Sequence, residues 1–370
     1  MTPSVLETPE NPATFRENSR QRSWMLPAQA FVPGNRMSFL LPQSGYLGPI
    51  YVRVFGSIRR SVGDTSTSIA TAGDIFQRLQ LAINIGAGFP VDITGKHMHF
   101  LQFMLQRGTH PFSTRPTVFS PFLFPIPLAG PPVDTPFVWQ WIIPVNQNDG
   151  INFEDGLINL QALEVQASLN INCGVIADIF PTGSVLTGTS FQNVFVEIGL
   201  ETYEVPRPGT NTMIPAFLLH RLVSDSQPIN SLGDQSYRPL PEGRLLQLHH
   251  IFIVNNTQDD GMFTQGVPGA FQLGDMEIWL DQGDRNYQYT RFIKDLQFQN
   301  DTGNEPINGF KVWDFANAYQ FAGAATDARD TYDLTRIAVF ESRMKVSGTL
   351  GAAGTNRIDT MRRLLQPLKT

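Results

Sequence analysis

One cysteine, Cys173, occurs among 370 residues. An intrachain disulfide is therefore excluded, and folding in a reducing cytoplasm is the simple expectation. No uninterrupted apolar run approaches the roughly 18 residues that a membrane-spanning helix needs. The most apolar stretch, FSPFLFPIPLAGPP, is interrupted by Pro121, Pro125, Pro127, Pro131 and Pro132. The opening residues, MTPSVLETPENPATFRENSR, lack the basic-then-apolar order of a secretory leader. Histidines are few, six in all, and charged residues make up only 16% of the chain.

Charge is also unevenly spread. The net charge is −6, yet residues 1–36 carry four Arg against three Glu. Residues 352–370 carry three Arg and one Lys against one Asp. The ends are basic and the body acidic. An acidic body argues against sequence-specific recognition of nucleic acid, which needs a basic face. Basic ends suit an anionic lipid surface, nucleic acid or an acidic neighbour, or are simply solvated termini.

What the chain does have is 27 Phe, 31 Gly and 27 Pro, a mixture that favours many short strands and turns over long helices. Period-two alternation is clear in GPIYVRVFGS, with Ile50, Val52 and Val54 on one side. It recurs at Leu79, Leu81 and Ile83, at Phe137, Trp139, Trp141 and Ile143, at Leu169, Ile171 and Cys173, and at Val194, Val196, Ile198 and Leu200. The Pro- and Gly-rich VPRPGTNT, residues 205–212, ends this run. MIPAFLLHRLVSD then reads as a short helix with Pro215 in its first turn. Strands resume in GRLLQLHHIFIVNN, GDMEIWLDQG and LTRIAVFESRMKVSG, so two β units joined near 205–212 are expected. Three long loops stand out, at 107–136, 174–192 and 299–334, the last with a possible short helix around KVWDFANAYQ.

Candidate chemistry centres on TGKHMHFLQFMLQRG. If this segment is a strand, His97 and His99 share a face and could hold one metal ion, as in cupin enzymes. Cupins add a carboxylate a few residues later, whereas FLQFMLQRG has none. His249 or His250 would be the partner from the second half, at a spacing longer than the cupin pattern. NQNDGINFEDG, residues 146–156, has calcium-loop residue types without the ligand register, and Asp259 and Asp260 read as a hairpin turn. Trp139 and Trp141 could stack on a sugar, though strand spacing favours the core. No GxSxG elbow, phosphate-binding GxxxxGK[ST] loop, CxxC pair or HExxH helix occurs, and no nucleophile-plus-base arrangement is evident. No catalytic residue, cofactor or metal is therefore expected.

The order of segments resembles the double jelly-roll major capsid proteins of tailless, membrane-containing icosahedral phages, the tectivirus-like group. LPQSGYLGPIYVRVFGSI (41–58) is similar to the family's opening turn and strand. GDIFQRLQLAINIGAGFPVDITGKHMHFLQFMLQRG (73–108) resembles its strand, hairpin and glycine-then-histidine segment, through Gly95, His97, His99, Phe100 and Gly108. VWQWIIPVNQNDGINFEDGLINLQALEVQASLNIN (138–172) resembles the Trp-containing strand and the Gly-Leu turn that follows. MIPAFLLHRLVSD with GRLLQLHHIFIVNN resembles the start of the second jelly roll, and LTRIAVFESRMKVSG (334–348) its closing strand. The pieces span most of 40–350.

The resemblance implies an all-β chain of two jelly-roll sandwiches in tandem, with few short helices and extended terminal arms. Its divisions would be an N-terminal arm (1–36), a first roll (37–206), a second roll starting with a linker helix (207–350) and a basic C-terminal arm (351–370). It implies a homotrimeric, pseudo-hexagonal capsomer in an icosahedral virion, with neighbouring capsomers, an internal viral membrane and minor capsid proteins as partners. The loops 174–192 and 299–334 would rise as outer towers. Arg16, Arg20, Arg22, Arg357, Arg362 and Arg363 would face membrane headgroups or adjacent capsomers. The rival expectations are a bicupin-like metal enzyme centred on His97 and His99, and a jelly-roll glycan-binding or spike protein.

Overall fold

The alternating segments become strands whose apolar side chains turn inward. The structure, a computed structural model, describes residues 19–65, 68–83, 89–105, 126–131, 133–146, 156–162, 166–204, 218–281, 284–303, 305–315 and 332–367. Sixteen strands of three or more residues lie among them, eight before residue 205 and eight after it. The first eight are β1 (Arg20–Met25), β2 (Arg36–Leu40), β3 (Tyr46–Arg59), β4 (Phe76–Ala82), β5 (Val91–Ile93), β6 (Asp134–Ile143), β7 (Ser168–Cys173) and β8 (Ser190–Glu204). The second eight are β9 (Leu218–Pro228), β10 (Gly233–Tyr237), β11 (Arg244–Val254), β12 (Gln272–Leu280), β13 (Asp284–Thr290), β14 (Phe310–Asp314), β15 (Phe340–Ser347) and β16 (Arg357–Pro367).

The first eight strands pair in the orders β1–β8–β3–β6 and β2–β7–β4–β5. The second eight repeat both orders: β9–β16–β11–β14 and β10–β15–β12–β13. Eight strands in two four-stranded sheets is jelly-roll architecture, here built twice. The rolls are fused edge to edge. β9 runs parallel to β5, with Leu222 opposite Val91 and Val223 opposite Asp92, so one sheet continues β2–β7–β4–β5–β9–β16–β11–β14 through both.

Each roll has its own core. The first contains Phe39, Val52, Leu79, Trp139, Trp141, Leu169 and Val196, and the second Leu248, Phe252, Met276, Ile278, Met344 and Leu364. Each fully buried large apolar side chain contributes roughly 1.5–3 kcal/mol, which favours one register for every alternating strand. A third cluster, Phe100, Leu246, Ile251, Ile253, Phe298, Phe310 and Leu365, lies where the rolls meet.

Several expectations need correction. The HxH segment is not a strand but helix α1 (Gly95–Leu105). Thr94 caps it, its Oγ1 accepting from the His97 amide at 3.2 Å. The expected linker helix is not seen: residues 213–217 lie outside the described residues, and Leu218–Pro228 is β9, held along eleven positions by β16. Paired neighbours on both edges override its helical pattern. KVWD belongs to β14, Phe315 follows it, and the remainder of that segment, from 316, lies outside the described residues. The other helix is α2 (Arg291–Thr302), capped by Thr290 and closed by Gly303 in the left-handed region at φ 71°.

The terminal arms also need correction. Residues 20–25 of the expected N-terminal arm form β1, and Gln29–Ala30 bridge to β8. Residues 357–367 are no arm at all: β16 lies between β9 and β11, at the centre of the second roll. Within the loop 174–192, Ile179 and Phe180 pack into the first core. Its later part is tied down to residues 61–65, the Asp64 carboxylate accepting from the Thr187 amide at 2.6 Å.

Candidate functional site

The described histidines, all but His110, are buried, and they gather near the joint between the rolls. His110 lies outside the described residues. On α1, residues two apart are separated by about 200° around the axis, so His97 and His99 point to different sides. His97 Nδ1 is 3.0 Å from Thr94 Oγ1. His99 Nδ1 accepts from Trp141 Nε1 at 3.3 Å, on the side of the first core. The pair therefore cannot chelate one ion, and the sequence expectation of a shared face fails because the period is 3.6 and not 2. Among the described residues, no group of three His, Cys, Asp or Glu could hold a metal.

The second-half histidines are hydrogen-bonded structural groups. His250 links two sheets of its roll, with Nδ1 3.0 Å from Thr360 Oγ1 and Nε2 3.1 Å from Ser342 Oγ. His249 Nε2 is 3.3 Å from Gln247 Oε1. His220, on β9, reaches the other roll, with Nδ1 3.1 Å from the carbonyl oxygen of Pro144. Its Nε2 accepts from Arg363 Nε at 2.7 Å, so the proton sits on Nδ1.

Burial keeps these rings neutral. It pushes His97 down to about 4, against the opposing pull of Asp359, and His99 and His250 down to about 3. His220 and His249 are driven well below the usual imidazole range, first by burial and then by the Arg363 charge for His220 and by neighbouring His97 and Arg363 for His249. A neutral imidazole could serve as base or ligand, but these rings are sealed from solvent and bonded to structural partners.

The remaining candidates resolve similarly. Trp139 and Trp141 are fully buried, with Phe137 stacked on Trp139 at 4.1 Å, so they offer no platform for a sugar. Asp260 is no exposed turn residue. Its carboxylate is buried against Lys311 Nζ, which also bonds Asp295 at 2.6 Å. Burial raises the Asp295 carboxyl although Lys311 opposes the shift. Residues 147–155 of the calcium-loop candidate lie outside the described residues.

The six arginines separate into two groups. Arg20 and Arg22 are exposed on β1, Arg22 paired with Glu204 at 3.0 Å, and Arg16 lies outside the described residues. Arg357 bonds Asp359 at 3.0 Å on β16. Arg362 and Arg363 are buried, bonded to Asp225 at 3.1 Å and to His220. Strand β16 occupies the middle of a sheet, so Arg362 and Arg363 cannot face headgroups or a neighbouring capsomer. Their interior role was missed because RR before LLQP reads as a solvated tail. The only signal was the alternation of Ile358, Thr360, Arg362 and Leu364.

No family model matches the sequence, and no curated protein matches it. Solved structures do. The crystal structure of the STIV MCP matches with a TM-score of 0.63 at 14% identity, over 94% of this chain and 97% of that one. The quasi-atomic model of the PBCV-1 virus capsid matches at 0.62 and 11% identity, over 94% of each chain. The major capsid protein of bacteriophage PM2 matches at 0.56 and 10% identity, over 95% of this chain and 98% of that one. The chain thus has the double jelly-roll fold that these viral capsid proteins share.

Proposed function

We propose that this chain is a viral major capsid protein, a structural subunit with no catalysis of its own, which assembles with copies of itself into an icosahedral shell. The observation that carries this reading is the repeated strand order of the two fused rolls, matched along nearly its whole length by capsid proteins. In finer detail, the unit is a homotrimer. Three chains of two like rolls present six similar edges and tile as a pseudo-hexagon. Its place is the virion, after synthesis in the host cytoplasm.

The burial of the histidines and tryptophans supports a structural protein over a bicupin enzyme or a sugar-binding module. Arg16, Arg20 and Arg22 are kept as contact residues toward an anionic membrane surface or a neighbouring capsomer. Each charge near such a surface contributes up to about 1 kcal/mol. Liposome flotation unchanged by Arg16→Ala, Arg20→Ala and Arg22→Ala together would remove the membrane from this proposal.

The deciding experiment is light scattering of the purified protein, followed by negative-stain microscopy of the same peak. The expected species has about three times the 41.3 kDa chain mass and a hexagonal outline. A monomer or dimer carrying stoichiometric transition metal would overturn the proposal.

A further inference from the structure

The two helices occupy equivalent places. Each follows the fifth strand of its roll and precedes the sixth: α1 between β5 and β6, α2 between β13 and β14. Each is capped by a threonine and lies against a tryptophan of that sixth strand. His99 of α1 meets Trp141, and Lys294 Nζ of α2 sits 4.0 Å over the Trp313 ring.

Their outer sides differ. Phe100 of α1 is buried against the second roll, stacked on Phe310 at 4.9 Å beside Leu246, Ile251 and Leu365. On α2, Phe292 (63% exposed), Ile293 (40%) and Leu296 (48%) stand in solvent, and no described residue covers them.

The sheet edges repeat this difference. The edge of β5 is closed by parallel pairing with β9. The counterpart of β5 is β13, which among the described strands pairs only with β12. The counterpart of β9 is β1, which among the described strands pairs only with β8 and is exposed along almost all its length. Open edges of this kind are templates for strand addition.

The surface that meets α1 is the outer face of β16 and β11. Its counterpart, the outer face of β8 and β3, carries an apolar patch. Tyr51 and Phe195 are exposed there, Phe55 stacks on Phe195 at 5.8 Å, and Met25 of β1 lies over Gly199. Apolar groups clustered in this way on an otherwise polar sheet face mark an interaction surface.

We infer that a second copy of this chain docks head to tail on these surfaces. The α2 face and the β13 edge of one copy meet the β1 edge and the outer face of β8 and β3 of the next. This repeats between copies the joint that α1, β5 and β9 make within one chain. The contact is heterologous, so copies add in one direction, and the proposed trimer is the ring in which three such contacts close. The inference rests on the capsomer reading and specifies the contact that the capsomer uses.

The test uses two variants of the full chain. One is altered on the helix side, Phe292→Asp with Leu296→Asp, and the other on the sheet side, Met25→Asp with Phe195→Asp. All four positions are solvent-facing in the single chain, so both variants should keep the far-UV circular dichroism of the unaltered protein and a cooperative melt. Light scattering should give monomers for each variant alone. An equal mixture should give a dimer and nothing larger, because only one intact helix side and one intact sheet side are then available to meet. If both variants keep the mass of the unaltered oligomer, the surfaces are wrong and the capsomer reading stands. If the mixture stays monomeric, the head-to-tail pairing is wrong. If the unaltered protein is itself monomeric, the capsomer reading fails first.

Discussion

Arg363, on the last strand, donates a 2.7 Å hydrogen bond to His220 on the first strand of the same roll, and His220 in turn faces the Pro144 carbonyl of the other roll. A charged side chain at the end of the described chain thus fixes the tautomer of a ring that ties the two rolls together.

Arg363→Ala removes that donor and leaves a buried ring nitrogen without a partner. A loss of about 2–4 kcal/mol is expected, from the unsatisfied group and the cavity. Urea denaturation checks it, and a change under 0.5 kcal/mol would show that Arg363 is a surface residue in solution.

Acid should loosen the protein as soon as the pH enters the range of free imidazole. The buried imidazoles titrate below their unfolded value of about 6.5. Between there and about 4, the value for His97, the unfolded chain binds more protons than the folded one. Stability is therefore full above about pH 6.5 and falls as the pH drops through this window. Each histidine contributes up to about 1.4 kcal/mol per pH unit. Denaturation midpoints at pH 7.5, 6 and 5 should descend, and a flat profile would contradict neutral burial.

Gly95→Ala should be severe. A Cβ there would collide with the carbonyl oxygens of Gly73 and Phe76, backbone atoms that have no room to yield. About 3 kcal/mol or more should be lost. Gly130→Ala, where a Cβ meets open space, is the control and should be nearly neutral. Thermal melts of the two variants distinguish a packing requirement at Gly95 from a general intolerance of added methyl groups.

Lys311→Met takes from the buried Asp260 and Asp295 carboxylates their shared cation, leaving Arg291 at 3.7 Å from Asp260 as the remaining positive charge. Losing one member of a buried ion pair typically costs about 3–5 kcal/mol. Adding Asp260→Leu should recover much of that loss, because it removes one of the two carboxylates. If the double variant is less stable than the single one by denaturant titration, the network supplies more than charge balance.

The strands were legible wherever burial alternates. Val52 and Val54, Leu79 and Leu81, Trp139 and Trp141 all turn inward as their spacing requires. The two-roll division was legible in the break after β8. The helix α1 was misread because His97 and His99 drew attention to period two, while the capping Thr94 and the i, i+3 pair Met98 and Leu101 carried the helical signal. β9 was misread for the opposite reason: its strand state depends on β16, some 140 residues away, which no local pattern reports. The same distance hid the interior role of Arg362 and Arg363. Beside its apolar cluster, the joint between rolls also holds His220 and Arg363, residue types that alone suggest surface or chemistry.

The position of β16 also sets an order of events during synthesis. The first roll has all eight of its strands by residue 204, whereas the second has a gap between β9 and β11 until residues 357–367 are made. A nascent or truncated chain would hold one finished roll beside an unclosed sheet with two open internal edges. Such a chain has no Arg363 to hold His220, and the edges of β9 and β11 that β16 covers stay open. Completion of the second roll therefore waits on this strand, and until it is made the open edges are templates for mispairing with other chains.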